Sequence, residues 1–126
     1  MIVDSSALVA ILFGESDAAA LSRVLMDEVR VRVSTATVLE TALVVSPALG
    51  AELDNVIAEL GLEVAPFDTE QLAAARTAME IYGKGRGSRA QLNYGDCMSY
   101  ALAKVTGEPL LFTGDDFTHT DITSAL

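Results

Sequence analysis

The sequence has little of what small proteins use for covalent cross-links or for binding soft metals. Among its 126 residues are one cysteine, Cys97, one histidine, His119, and no tryptophan. A lone cysteine excludes an internal disulfide and a cysteine-built zinc site, and it suits a reducing compartment. We therefore expect Cys97 to be a small buried hydrophobe and His119 to have a structural role.

Basic residues are also scarce. The chain has 8 Lys and Arg against 18 Asp and Glu, which gives a formal net charge of -10. This balance argues against a protein that coats nucleic acid with a uniformly basic surface. Three of the basic residues, however, lie close together in a glycine-rich stretch: Lys84, Arg86 and Arg89. Contact with nucleic acid would depend on this local patch, and the acidic remainder suits a basic protein partner.

Long apolar runs and targeting signals are absent too. No apolar run approaches the ~20 residues that span a bilayer. The opening MIVDSSALVAILFGESD has no basic segment and meets an acid at Asp4, unlike a signal peptide. We expect a cytoplasmic protein with no membrane association. The length fits one domain, residues 1–126, and the sequence contains neither a nucleotide-binding phosphate loop nor a GxSxG nucleophile turn.

The spacing of apolar residues predicts strands that alternate with helices. Predicted strands cover 1–4, 29–33, 62–67 and 109–113, and 121–124 is a candidate edge strand. Predicted helices cover 7–13, 17–28, 35–49, 51–60, 69–82 and 94–105, and Gly14, Gly61 and Gly107 are expected to end three of them. The alternation indicates an α/β fold with a mainly parallel central sheet flanked by helices on both faces.

Acidic residues follow two of the predicted strands. Asp4 closes the first strand, and Asp115 and Asp116 follow the last one in the segment TGDDF. Ligands of open α/β sheets bind at the carboxyl ends of the strands, so these acids are candidate site residues. The alternatives are a helix cap at Asp4 and a simple turn at TGDDF.

Glu40 lies in the predicted helix 35–49. Ala36, Leu43, Val44 and Pro47 share its helical face. Because this stripe is apolar, we expect Glu40 to point toward the core. The alternative is an acid at the edge of the stripe that reaches water or pairs with an arginine.

Asp96 lies three residues after Asn93, the expected N-cap of the helix 94–105. It could simply complete a capping box and favour the positive end of the helix dipole. Its helical neighbours nevertheless form a mainly buried stripe: Leu92, Ser99, Tyr100 and Ala103. A buried carboxylate without a counter-charge is costly, so Asp96 is a second helix-borne candidate.

These acids would repel each other strongly if they converged. Like charges within a few ångströms favour protonation unless a cation neutralises the cluster. An oxygen-only site is the kind that Mg²⁺ or Mn²⁺ prefers, and such ions support displacement at phosphorus by activated water. Convergence of Asp4, Glu40, Asp96 and one or both of Asp115 and Asp116 would therefore predict a metal-dependent phosphodiesterase.

The sequence resembles the PIN-domain toxins of the VapC type, the ribonucleases of bacterial type II toxin–antitoxin pairs. The resemblance rests on MIVDSSAL, STATVLETALVV, YGKGR, LNYGDCMSYALAK and PLLFTGDDFTHTDI, and it covers nearly the whole chain. It implies a three-layer α/β/α PIN-like fold. By motif position, Asp4 and Asp96 resemble the most direct metal-binding aspartates and Glu40 the helix-borne glutamate.

The fourth family acid lies in TGDDF. Many relatives have Gly, a variable residue, Asp and Phe there, which points to Asp116, although Asp115 is kept as an alternative. Ser6 resembles a hydroxyl residue that supports Asp4 without itself binding metal, and Asn93 would hold Asp96 in the same way. Where relatives often have Thr, this chain has Ser5.

The resemblance further implies a Mg²⁺- or Mn²⁺-dependent endoribonuclease that cleaves structured RNA, often transfer RNA. A VapB-type antitoxin would inhibit it by inserting a segment, often with an arginine, into the acidic cleft. The family commonly forms homodimers through its early helices and reaches operator DNA through the antitoxin. Lys84, Arg86 and Arg89 would contact RNA phosphates; the alternative for this stretch is a solvated loop.

Three other functions remain open at this point. One is a PIN-type nuclease for RNA processing that has no antitoxin. Another is a Mg²⁺-binding signalling domain of the receiver type, for which Asp68 would be the candidate phosphoacceptor. The third is a binding module that has lost catalysis.

Overall fold

A parallel four-stranded sheet lies at the centre of the molecule. The computed structural model describes residues 1–45 and 47–126. In spatial order the sheet is β3-β2-β1-β4, and every pairing in it is parallel. Its strands are β1 (Ile2–Val3), β2 (Arg32–Ser34), β3 (Glu63–Ala65) and β4 (Leu110–Leu111).

The helices of the described residues precede or follow these strands. They are α1 (Ser5–Phe13), α2 (Ala18–Asp27), α3 (Thr35–Val45), α4 (Gly50–Glu59), α5 (Thr69–Tyr82) and α6 (Tyr94–Thr106). None of these helices is long and apolar enough to cross a membrane.

Hydrophobic side chains pack on both faces of the sheet, because successive residues of a strand point to opposite faces. In the register of the sheet, Ile2 of β1 pairs with Leu110 of β4, and Val3 pairs with Leu111. Ile2 and Leu110 pack in a core with residues of α5 and α6. Val3 and Leu111 pack in a second core with residues of α1 and α2. The sheet is thus the middle layer of the three-layer α/β/α fold that the sequence predicted.

Local sequence signals set several helix ends. Gly14 and Gly107 end α1 and α6 in the left-handed conformation, with φ of 63° and 69°, which glycine adopts without steric strain. Asp68 caps α5 by accepting a hydrogen bond from the Gln71 amide at 2.9 Å. Asp68 is thus the exposed N-cap of α5.

The strands are shorter than the sequence predicted. Residues 29–31 and 66–67 lie outside strands, and the segment 121–124 makes only an isolated bridge between Ser124 and Leu110. Val29 is fully exposed, so the alternation of valine and arginine there was misleading. Backbone pairing, which apolar spacing does not report, decides where a strand ends.

The prediction for α3 was wrong in two respects. The helix ends at Val45 rather than at residue 49, and 47–49 form a turn; residue 46 lies outside the described residues. The stripe that shares a face with Glu40 is also not core, because Leu43 and Val44 are 74% and 56% exposed. The buried residues of α3 are instead Thr37, Thr41 and Val45.

The buried threonines of α3 satisfy their hydroxyl groups within the protein. Thr37 Oγ1 lies 3.1 Å from Ser99 Oγ of α6, and Thr41 Oγ1 donates to the Thr37 carbonyl at 2.8 Å. These bonds remove most of the penalty for burying a hydroxyl. They allow α3 to pack by its threonine face and leave its leucines outside.

Candidate active site

The carboxyl ends of β1 and β4 are adjacent at one edge of the sheet. Successive connections from β1 place β2 on one side of it, whereas β4 lies on the other side. Such a reversal of strand order opens a crevice beyond the strand ends, where α/β proteins bind ligands. Asp4 directly follows β1, and the TGDDF segment directly follows β4.

Ser6 fixes the Asp4 side chain and joins it to the segment after β4. Asp4 Oδ2 accepts hydrogen bonds from the Ser6 amide at 3.0 Å and the Ser6 hydroxyl at 2.6 Å. The same hydroxyl oxygen accepts a bond from the Thr113 amide at 3.1 Å. Asp4 thus caps α1, as the structural alternative predicted, while its other oxygen, Oδ1, is buried without a hydrogen-bond partner.

Asn93 fixes the Asp96 side chain in a complete capping box, as predicted. The backbone amide of Asn93 donates to Asp96 Oδ2 at 2.9 Å, and the backbone amide of Asp96 donates to the side-chain Oδ1 of Asn93 at 2.8 Å. Asp96 is only 7% exposed, and its neighbours Leu92, Ser99, Tyr100 and Ala103 are all buried. The carboxyl group is therefore both a helix cap and a buried group.

The electrostatic surroundings of Asp96 connect four acids. Burial raises the pKa of Asp96 from 3.8 to about 7, although the Asn93 amide opposes this rise. The charges of Asp4, Asp116 and Glu40 are smaller contributions to the same rise in pKa. Three acids from separate parts of the sequence thus lie within electrostatic reach of Asp96, and Asp116 rather than Asp115 is the TGDDF acid whose charge acts on it.

Glu40 approaches this group from the second turn of α3. Its carboxyl group is half-buried, and Oε1 has no hydrogen-bond partner. Burial raises the pKa of Glu40, the Ser5 hydroxyl opposes part of the rise, and the charge of Asp4 adds to it. The side chain does not enter the hydrophobic core as predicted, but lies over the start of α6 against Gly95.

The acids lie close enough for their charges to act on Asp96, but their side chains do not form a preformed metal site. Within residues 1–45 and 47–126, no three acidic, histidine or cysteine side chains are arranged to hold a metal ion jointly. Two buried carboxylate oxygens, Asp4 Oδ1 and Glu40 Oε1, nevertheless have no protein donor. Buried charged oxygens normally have partners, and an all-oxygen group of this kind fits a hard divalent cation.

An apolar groove of about 420 Å³ adjoins the acids between α3 and the start of α6. Its walls include Leu39, Leu43 and Val44 of α3 and Tyr94 of α6. Tyr94 is 77% exposed and Leu39 is 63% exposed. The groove is present because α3 packs by its threonine face and leaves its leucines outside. The sequence predicted burial of this stripe and therefore did not predict the groove.

The basic loop, residues 84–91, is attached at the start of α6. A bridge between Gly83 and Leu92 closes its base, with the Lys84 amide donating to the Leu92 carbonyl at 3.0 Å. Leu92 immediately precedes Asn93, so the loop begins and ends beside the Asp96 cap. Lys84, Arg86 and Arg89 are exposed, and the ion pairs found among the described residues involve other basic groups.

Comparison with known proteins assigns the family. Residues 1–122 match the model of the PIN domain. Ribonuclease VapC30 of Mycobacterium tuberculosis is 49% identical over 97% of this chain and 95% of the relative. Ribonuclease VapC42 of the same species is 45% identical over 99% of this chain and 98% of the relative. Ribonuclease VapC of Mycolicibacterium smegmatis is 48% identical over 97% of both chains.

The chain belongs to the VapC family of PIN-domain ribonucleases. Solved VapC structures share its fold at low sequence identity. Mycobacterium tuberculosis VapC20, described as a toxin that cleaves the sarcin-ricin loop, superposes with a TM-score of 0.77 at 14% identity over 97% of this chain and 95% of that one. VapBC2 of Rickettsia felis, solved with a DNA fragment from its promoter, superposes with a TM-score of 0.68 at 14% identity over 98% of this chain and 94% of that one.

Sequence reasoning missed two features of this VapC-family site. Gly95 lies within the predicted helix 94–105 and was not singled out, although a glycine inside a helix costs stability relative to alanine and can have a packing reason. The Ser6 hydroxyl was expected to support Asp4, but its bond to the Thr113 amide had no local signal, because 107 positions separate the two residues. Cys97, in contrast, is buried as predicted.

Proposed function

We propose that the chain is the toxin of a type II toxin–antitoxin pair and acts as a Mg²⁺- or Mn²⁺-dependent endoribonuclease, with residues 1–126 as one nuclease domain. The observation that carries this proposal is the electrostatic influence of three acids on the buried Asp96, together with two unpartnered carboxylate oxygens in the same group. The family assignment supplies the ribonuclease chemistry. Together they favour hydrolysis of an RNA phosphodiester.

Asp4, Glu40, Asp96 and Asp116 are the residues that would hold the cation, with Asp115 as the alternative for the fourth. When bound, the ion supplies positive charge to the phosphate oxygens and activates water for attack at phosphorus. The protein's own part is to fix the carboxylates. Ser6 holds Asp4, and Asn93 holds Asp96 at the first turn of α6, so neither carboxylate needs to reorganise when RNA arrives.

Lys84, Arg86 and Arg89 are proposed to bind the RNA backbone. Their loop is attached beside Asp96, so phosphates bound there would lie near the acids. Replacing Arg86 by alanine is expected to weaken RNA binding and to reduce the slope of log Kd against log salt by about 0.7 to 0.9. Filter binding at several salt concentrations measures both. An unchanged slope would argue for a loop that is merely solvated.

The proposed partners are a VapB-type antitoxin, a second copy of the chain and, through the antitoxin, operator DNA. An antitoxin segment with an arginine would place a cation among the acids and compete with the metal. The exposed apolar face of α3, Leu39, Leu43 and Val44, supports burial by a partner, because contiguous exposed apolar patches mark interaction sites. A cytoplasmic location is consistent with this role.

The test is cleavage of a panel of structured RNAs that includes transfer RNAs. Purified protein is incubated with each RNA in Mg²⁺, in Mn²⁺ or in a chelator, with Asp96→Asn in parallel. We expect cleavage of few RNAs at defined positions, only with metal, and at least about a hundredfold slower with the variant. Cleavage that persists in chelator would refute the mechanism, and cleavage of no RNA would refute the function.

A further inference from the structure

Gly95 occupies the second position of α6, between Tyr94 and Asp96, and is buried. Glycine is less favourable than alanine within a helix, and Gly95 is not among the glycines with positive φ. Backbone conformation therefore does not require a glycine here. The reason must lie in the space that a side chain would fill.

That space is occupied by Glu40. A Cβ built on Gly95 would overlap Glu40 Oε2 and lie 2.7 Å from Glu40 Oε1. Gly50, which is also in the first turn of a helix, has no atom within 4 Å of the corresponding position. The Glu40 carboxyl group and a residue-95 side chain thus exclude each other.

The packing of α3 on α6 holds the two residues together. Thr37 Oγ1 and Ser99 Oγ form a buried contact of 3.1 Å between the helices. Glu40 lies three residues beyond Thr37, and Gly95 lies four residues before Ser99, so each is one turn from this contact on the same side of its helix. A displaced Glu40 carboxyl group would have to turn away along the apolar groove or into water.

We propose that Gly95 is a positioning residue, whose missing side chain leaves the space from which the Glu40 carboxylate reaches the same cation as Asp4 and Asp96. The inference rests on the proposed function, since it assigns Gly95 a role toward that cation. Glu40 binds across the first turn of α6, next to Asp96. A methyl group at position 95 moves the Glu40 carboxylate out of the cluster while leaving the other acids in place.

The experiment is a double-mutant cycle on Mn²⁺ affinity, measured by calorimetry without RNA. The variants are Gly95→Ala, Glu40→Ala and the double substitution, with Gly50→Ala as the matched glycine control. We expect Gly95→Ala to weaken binding at least about tenfold, similar to Glu40→Ala, and the double variant to be no weaker than Glu40→Ala. Gly50→Ala should bind as the parent does.

Thermal unfolding of the metal-free variants separates positioning from damage to the fold. Only the flexible end of Glu40 must move, so Gly95→Ala should unfold no more than a few degrees below the parent. If it fails to fold, restored folding in the double variant supports the proposal, and continued failure overturns it. The proposal is also overturned if Gly95→Ala binds Mn²⁺ as tightly as the parent. It is overturned as well if Gly95→Ala lowers the Mn²⁺ affinity by the same factor in the parent and in Glu40→Ala. A parent that binds no Mn²⁺ would instead refute the proposed function.

Discussion

Replacing Asp96 by asparagine is expected to stabilise the metal-free protein at alkaline pH while abolishing activity. The asparagine Oδ1 can still accept the hydrogen bond that the Asn93 amide now donates to Asp96, so the capping box is largely retained. What disappears is the negative charge. That charge is buried and is repelled by Asp4, Asp116 and Glu40.

The effect of Asp96 on the free energy of unfolding depends on pH through proton linkage. The pKa of Asp96 rises from 3.8 to about 7 on folding, so the folded state binds the proton more tightly, and raising the pH through this interval favours unfolding. At about 1.36 kcal/mol per pKa unit, the ionisation of Asp96 opposes folding by about 2 kcal/mol at pH 5 and about 4 kcal/mol at pH 8. Asp96 should therefore make the parent about 2 to 3 kcal/mol less stable at pH 8 than at pH 5.

The assay is urea unfolding of the parent and Asp96→Asn at pH 5 and pH 8 in chelator. Between pH 5 and pH 8 the difference in unfolding free energy between the two proteins should grow by about 2 to 3 kcal/mol in favour of the variant. Asp68→Asn is the control, because Asp68 caps an exposed helix end and asparagine caps equally well. Its effect should stay within about 0.5 kcal/mol at both pH values. A pH-independent difference for Asp96→Asn would refute the conclusion that burial and neighbouring acids raise the pKa of Asp96.

Three further substitutions test the packing around the site. Tyr100→Phe removes the 2.7 Å bond to Asp121 and should lower the unfolding free energy by about 1 kcal/mol in urea; no loss would mean that this bond does not fasten the C-terminal segment. Ser99→Ala leaves the buried Thr37 hydroxyl without its partner and should lower the unfolding free energy by about 1–2 kcal/mol, whereas an unchanged value would contradict burial of the pair. If the proposed homodimer forms through the exposed face of α3, Leu43→Lys should weaken it at least about tenfold in sedimentation without lowering the melting temperature, and an unaltered dimer would exclude this face.

The elements with local signals could be predicted from the sequence. The capping box of Asn93 and Asp96 and the cap at Asp68 depend on residues three positions apart, so their chemistry is visible in a short window. The glycines that end α1 and α6 are local signals as well. The alternation of strands and helices then leads to the parallel sheet, whose strand ends place Asp4 beside TGDDF.

The side of α3 that packs inward could not be predicted in this way. Its spacing shows two faces, one with Leu43 and Val44 and one with Thr37 and Thr41, and hydrophobicity favours burial of the first. The structure buries the second, because Ser99 pairs with Thr37 and a backbone carbonyl pairs with Thr41. Both partners become apparent only when the two helices are in contact.

The position of Glu40 was a non-local question for the same reason. A helical face predicted that it points inward, whereas its location depends on the space above Gly95, 55 residues away in the sequence. The acids of the candidate site could be predicted from their residue types and their positions in the motifs. Their mutual effect on the pKa of Asp96 required the tertiary structure.

The most direct test of the central claim is the Mg²⁺ dependence of cleavage by the parent, Asp4→Asn, Asp115→Asn and Asp116→Asn on one RNA that the parent cuts. Parent activity should rise from zero with Mg²⁺. Asp4→Asn and Asp116→Asn should require far more metal or remain inactive, and Asp115→Asn should follow the parent curve. Cleavage by the parent without metal, or an Asp4→Asn curve that superposes on the parent curve, would contradict a cation site built from these carboxylates.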